Sequence, residues 1–306
     1  MKFTKPPLPV AEQIVRLKCR GMLIPDDAHA TRILQHISYY RLSAYWRPFE
    51  ESPPSEGDHK FRSGVTFDQI VALYVFDREL RLHVMDAIER FEVSLRCGWA
   101  HQIATTHGPH AYLEPHLYDP KRSEEAISTL QAEIDRSRDK FIEHYNEKYS
   151  DPKHPPVWMT AELVSFGKLS KLYEVLVRRP DRQAIAKPYG IDEKRLCSIL
   201  HHLTIVRNIC AHHGRLWNRR FKVTMAIPDS PASLKCALNQ FADRNLYNTL
   251  ATLNYLMRVV APASQWGKRL VELMDFHPFV DTRAMGFPGN WKEMPAWKGA
   301  SVPPQN

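Results

Sequence analysis

Arg207, Asn208, His212 and His213 stand within seven residues of one another. A guanidinium can hold charge on a phosphoryl oxygen, a carboxamide can orient a neighbour, and an imidazole titrates near neutrality and can carry a proton. Those types at that density suit acid–base chemistry on a phosphate-bearing ligand. The surroundings agree, because residues 207–222 carry Arg207, Arg215, Arg219, Arg220 and Lys222 and no acid. Such a basic run favours phosphate groups. The competing arrangement is structural: a buried arginine in an ion pair, an asparagine cap and a solvated basic loop.

Other chemistries fit the same residues less well. A metal site from His201, His202, Cys210, His212 and His213 would have to span about 16 Å of helix between His201 and His212. It has no acidic ligand and no zinc-type spacing, so neither a metal nor a cofactor is expected. Cys210 falls on an apolar stripe, where thiols are inert. The phosphate-cradling patterns GxGxxG and GxxxxGK[ST] are absent. A second R-x4-H spacing occurs at Arg96 and His101, but Glu92 lies four residues before Arg96 and predicts an ordinary intrahelical ion pair.

The element that must position the motif is a helix over residues 192–213, with Asp192 as its N-cap and Gly214 as its stop. At about 100° per residue, Leu196, Ile199, Leu200, Leu203, Val206 and Cys210 share one core-facing stripe, and Arg207 falls inside it. His201, Asn208 and His212 cluster on the far side. Arg207 and His212 are therefore about 140° apart on an ideal helix, and they converge only through distortion or a second copy of the chain. Glu89 and Glu92 are candidate partners for Arg207.

Helical periodicity dominates elsewhere too, and the fold class is all-α. The helices of "PVAEQIVRLKCRG" and "PDDAHATRILQHIS" could form a helix-turn-helix. "YYRLSAYWRPFE" sets aromatic rings beside arginines, a pattern that fits packing better than base stacking. An exposed loop over "EESPPSEGDHKFRSG" follows. Thr66 and Gln69 form a capping box that opens a long tract, which could break near Gly98 and ends at Gly108–Pro109. Ser123 starts a helix reaching about Tyr149, "SDPKHPPVW" is extended, and "TAELVSFGKLSKLYEVL" is helical again. After a basic segment and the turn-rich "IPDSPAS", helices lie near 243–261 and 264–275. The expected organisation is an N-terminal helical lobe over 1–60, a helical core over 61–280 and a C-terminal tail over 281–306 packed on the core.

At 43% hydrophobic and 25% charged residues the composition suits a globular chain with a sizeable core. The net charge of +8 favours acidic partners, chiefly nucleic acid. Five scattered cysteines without a CxxC pair fit a reducing cytoplasm. The N-terminus has no signal-peptide core, and no apolar run is long enough to span a bilayer, so no membrane partner is expected.

Arg207-Asn208-x3-His212 resembles the R-x4–6-H signature of HEPN-type ribonuclease domains. "RNICAHHGRLWNR", "PPVWMTAELVSFGKLSKLYEVL", "KPPLPVAEQIVRLKCRGMLI", "ISYYRLSAYWRPF", "IERFEVSLR" and "MGFPGNW" together resemble the Abi-like proteins of bacterial abortive-infection systems, in the expected order and over nearly the whole chain. The resemblance implies a HEPN-like helical bundle, a toxin acting in phage defence, and metal-independent cleavage of RNA. It implies that Arg207, Asn208 and His212 are catalytic and that His213, Arg215, Asn218, Arg219, Arg220 and Lys222 contact RNA. A homodimer that juxtaposes two motifs is implied, and a small non-coding RNA is a further implied partner. A non-catalytic nucleic-acid binder and a purely structural interaction protein are the other functional classes these residues allow.

Overall fold

The computed structural model describes residue 2 and residues 6–51 and 59–298. Part of the expected loop over 50–64, and the end of the tail, fall on residues 52–58 and 299–306, outside the described residues. Among the described residues the fold is all-α: thirteen α-helices and six 3-10 turns, with isolated bridges and no sheet. The chain forms two compact units, Met1–Leu80 and Arg81–Asn306.

The first unit holds α1 (Val10–Cys19), α2 (Asp27–His36), α3 (Tyr39–Trp46) and the start of α4 (Phe67–His107). Two of its helices have side-chain caps, Asp26 accepting from the His29 amide at 2.9 Å and Ser38 from the Arg41 amide at 3.2 Å. Thr66 accepts from the Gln69 amide at 3.1 Å, one of the two bonds of the expected capping box. Arg20 is buried and organises the unit. Its guanidinium donates to the His59 carbonyl, the Tyr39 hydroxyl and Glu50, and stacks over the Phe61 ring. The aromatic run of α3 is mostly core. Tyr45 and Trp46 are buried, Tyr39 packs edge-on to Trp46, and Tyr45 donates to Asp77 at 2.6 Å.

The second unit holds the rest of α4, then α5 (Ser123–Arg136), α6 (Lys140–Lys148), α7 (Val157–Leu163), α8 (Phe166–Val175), α9 (Arg179–Ala186), α10 (Glu193–Ala211), α11 (Ala232–Ala237), α12 (Leu246–Val260) and α13 (Trp266–Phe276). Helix α10 packs chiefly on α8 and α9.

Several expected boundaries shift for local reasons. The α4 helix runs unbroken through Gly98 and stops at Gly108, whose φ of 106° favours glycine. The helix expected over 123–149 is two helices. Ser137 leaves the helical region with ψ 140°, and its hydroxyl accepts from the Asp139 amide at 3.2 Å, a local turn that competes with the helix. The tract 160–176 is likewise interrupted, at Val164 and Ser165. Beyond α13 the chain returns to α12. Asn254 and Arg258 both donate to the Ala296 carbonyl, and Trp297 donates to the Tyr247 hydroxyl.

Candidate functional site

Helix α10 begins as its sequence dictates. Asp192 accepts from the amides of Lys194 and Arg195 at 3.0 and 2.9 Å, which satisfies two of the orphan donors of the first turn. The expected stripe is the buried face: Leu196, Ile199, Leu200, Leu203 and Val206 are fully buried and Cys210 nearly so. The opposite face, with His201, Asn208 and His212, is exposed.

The helix ends differently from the expectation. Its cap is His212, and the residue in the left-handed conformation is His213, at φ 56°, not Gly214. The Gly214 amide donates to the Ile209 carbonyl at 2.8 Å and the His213 amide to the Cys210 carbonyl at 3.0 Å, the paired bonds of a Schellman ending. Gly214 is needed for another reason. A Cβ there would come within 3.2 Å of both the Ile209 carbonyl oxygen and its Cγ2. The expected stop is thereby corrected: the close approach to the helix end falls at Gly214, and the backbone reversal falls on a histidine. Both motif histidines are exposed as a result.

Arg207 is half-buried at the edge of the stripe rather than within it. Its Nη1 lies 3.5 Å from the Asn208 Oδ1. Its charge also acts on Glu92, as expected for packing of α4 near the motif helix. The Glu92 carboxyl is held above its ordinary range by burial, opposed by Arg96 and Arg207. Glu92 is occupied by its own neighbour, since Arg96 donates to it at 2.7 Å and also reaches the Val164 carbonyl and Glu162. The second R-x4-H spacing is accounted for by this lattice, and His101 lies on the exposed side.

The basic segment is held by its apolar residues. Leu216, Trp217 and Phe221 are buried, and the Phe221 amide donates to the Arg244 carbonyl at 2.8 Å. Between these anchors Arg215 lies over the Trp217 ring, Arg219 donates to the Arg215 carbonyl at 2.9 Å, and Asn218 adopts φ 48°. Arg215, Asn218 and Arg219 are half-buried, whereas Arg220 and Lys222 are exposed. The result is an exposed His/Asn cap joined to a pinned cationic loop.

His202 belongs to the core. Its Nδ1 bonds the Val223 carbonyl at 2.9 Å and its Nε2 the Thr249 hydroxyl at 2.8 Å, and burial lowers its pKa. With both ring nitrogens engaged it has no lone pair to offer a metal.

Sequence reasoning passed over Arg81. This residue is buried, and its Nη1 lies 3.5 Å from the Gly214 carbonyl, beneath the reversal that carries the motif histidines. The available signal was its place between Leu80 and Val84 on the apolar side of a long helix, where a charge needs a partner.

A family model described as Abi-like protein matches residues 32–218, more than half of the chain and including the whole motif. No curated protein and no solved structure matches the chain.

Proposed function

The chain belongs to the Abi-like protein family, and from that premise we propose that it is an endoribonuclease of phage defence whose site is Arg207, Asn208 and His212. Family membership supports a role in abortive infection, in which an infected bacterial cell stops growing. The observation that supports the chemistry is the ending of α10. It leaves His212 and Asn208 exposed and Arg207 half-buried beside them, next to a cationic segment without an acid.

RNA brings its own nucleophile. The 2′-oxygen attacks the adjacent phosphorus, the bond to the 5′-oxygen breaks, and the products are a 2′,3′-cyclic phosphate and a 5′-hydroxyl. His212 takes the proton of the 2′-hydroxyl or supplies one to the leaving oxygen. Arg207 holds the charge that builds on the non-bridging oxygens, and Asn208 orients Arg207 or a phosphate oxygen. His213, Arg215, Asn218, Arg219, Arg220 and Lys222 bind the flanking strand. No step needs a metal. One exposed imidazole cannot do both proton transfers at once, so a homodimer presenting two motifs to one cleft completes the site. A small non-coding RNA fits the same cationic surface as a regulator.

The test is cleavage of RNA by the purified protein in EDTA, comparing the wild type with His212→Ala. The expected loss is at least about 100-fold, the usual worth of a general acid–base group, with an unchanged melting curve. DNA of the same sequence should survive. Equal rates for mutant and wild type would remove His212 from the chemistry. Salt-dependent binding of RNA with no cleavage would leave a non-catalytic binder.

A further inference from the structure

The aromatic run of α3 is only partly explained by the core. Tyr39, Tyr45 and Trp46 pack, but Tyr40 is 86% exposed, among the most exposed large side chains of the described residues. On the helical wheel it lies opposite the buried Leu42, Tyr45 and Trp46, and Arg47 follows two turns later on the same side. Arg41 is next to it and exposed. The outer side of α2, opposite the buried Ala30 and Leu34, presents Arg32, Gln35 and His36, all exposed.

Charge sets this surface apart. From Ala28 to Phe49 the chain carries Arg32, Arg41 and Arg47, two histidines and no acid. Four neighbouring acids have contacts of their own, Asp26 at the α2 cap, Asp27 with Lys18, Glu50 with Arg20 and Asp77 with Tyr45, and the Asp26 charge also acts on Arg32. A lone exposed tyrosine is ordinary. One held outward on a helix among cations, with no carboxylate in the run, matches the two requirements for binding an unpaired strand. These are a flat ring on which a base stacks and positive charge that follows the backbone.

We propose that the outer faces of α2 and α3 form a binding surface for single-stranded nucleic acid, with Tyr40 as the stacking platform and Arg32, Arg41 and Arg47 as phosphate contacts. The surface lies in the first unit, and the motif helix belongs to the second. It does not depend on the ribonuclease reading. An unpaired strand is favoured over a duplex because a paired base offers no open face to Tyr40.

The experiment uses the full chain and a short single-stranded DNA containing 5-iodo-2′-deoxyuridine, which lacks the 2′-hydroxyl. Irradiation followed by peptide mapping should place a cross-link on Tyr40, within residues 33–41. Binding measured by fluorescence anisotropy should weaken about five-fold or more in Tyr40→Ala, the worth of one base stack. It should be retained in Tyr40→Phe, which keeps the ring. Arg47→Gln should weaken binding and flatten its salt dependence. Cross-links confined to residues 81–298, or unchanged affinity in Tyr40→Ala, would overturn the proposal. So would equal binding of a blunt duplex or of polyglutamate. Loss of RNA cleavage in His212→Ala bears on the other site alone.

Discussion

His213 carries a backbone conformation that an L-residue enters at a cost of about 1–2 kcal/mol. Glycine escapes that cost, so His213→Gly should raise stability by about 1 kcal/mol in urea or thermal unfolding. Were its ring also to contact RNA, the same variant would cleave more slowly while being more stable, the usual trade at a functional position. A rise in stability with unchanged cleavage would reduce His213 to a helix terminator. Arg207 offers a second test at this scale. Its planar fork can meet two phosphoryl oxygens together, and a lysine ammonium cannot. Arg207→Lys should therefore lose most of the cleavage rate while keeping most of the affinity for RNA, a split that a simple charge contact would not produce. Asn208 and His212 were placed on one exposed side by helical spacing, and that is where they are. Arg207 was expected among the core residues and lies at their edge, because the wheel locates a Cα and not the end of a long side chain.

At the scale of the helix, the motif depends on how α10 is started and on what it packs against. Asp192→Ala removes the acceptor for two amides and should lower stability by about 1 kcal/mol. Leu203, fully buried in the stripe, should lose about 2–5 kcal/mol on truncation to alanine, by the typical range for such changes. Helix α4 offers a prediction in pH. His83 stacks on Trp266 at 4.4 Å with its Nε2 buried and unpartnered, and burial, with the nearby Arg269, lowers its pKa to about 4. The unfolded chain therefore binds more protons than the folded one between the ordinary histidine value near 6.5 and about 4. Stability is full above that window and falls as pH drops through it, by at most roughly 3 kcal/mol at about 1.36 kcal/mol per pH unit. His83→Phe keeps the stacking and should flatten this acid limb in unfolding curves. An unaltered limb would assign the loss to other groups, His202 among them.

Across the whole molecule the net charge of +8 makes association with a polyanion dependent on salt. Exposed Arg220 and Lys222 are phosphate contacts in the proposed site. Changing both to glutamine should lower the slope of log affinity against log salt by about 0.7 for every phosphate of a single strand that is no longer neutralised. Changing exposed Lys298, far along the chain from the motif, should leave the slope nearly as it was. The two cationic surfaces lie in different units, one on α2 and α3 and one after α10, so their contributions can be removed separately.

Local spacing was enough to determine the all-α class, the Asp192 cap, the buried stripe of α10 and the proximity of Arg207, Asn208 and His212 along it. Those features follow from the 3.6-residue repeat and from side chains that reach their own backbone. Tertiary structure alone decided that the chain reverses at His213, that Arg81 reaches the Gly214 carbonyl from 133 residues away, and that Tyr40 stays outside while its neighbours are buried. In each case the choice depends on which surface meets which, and helical periodicity marks an apolar face without naming what will cover it.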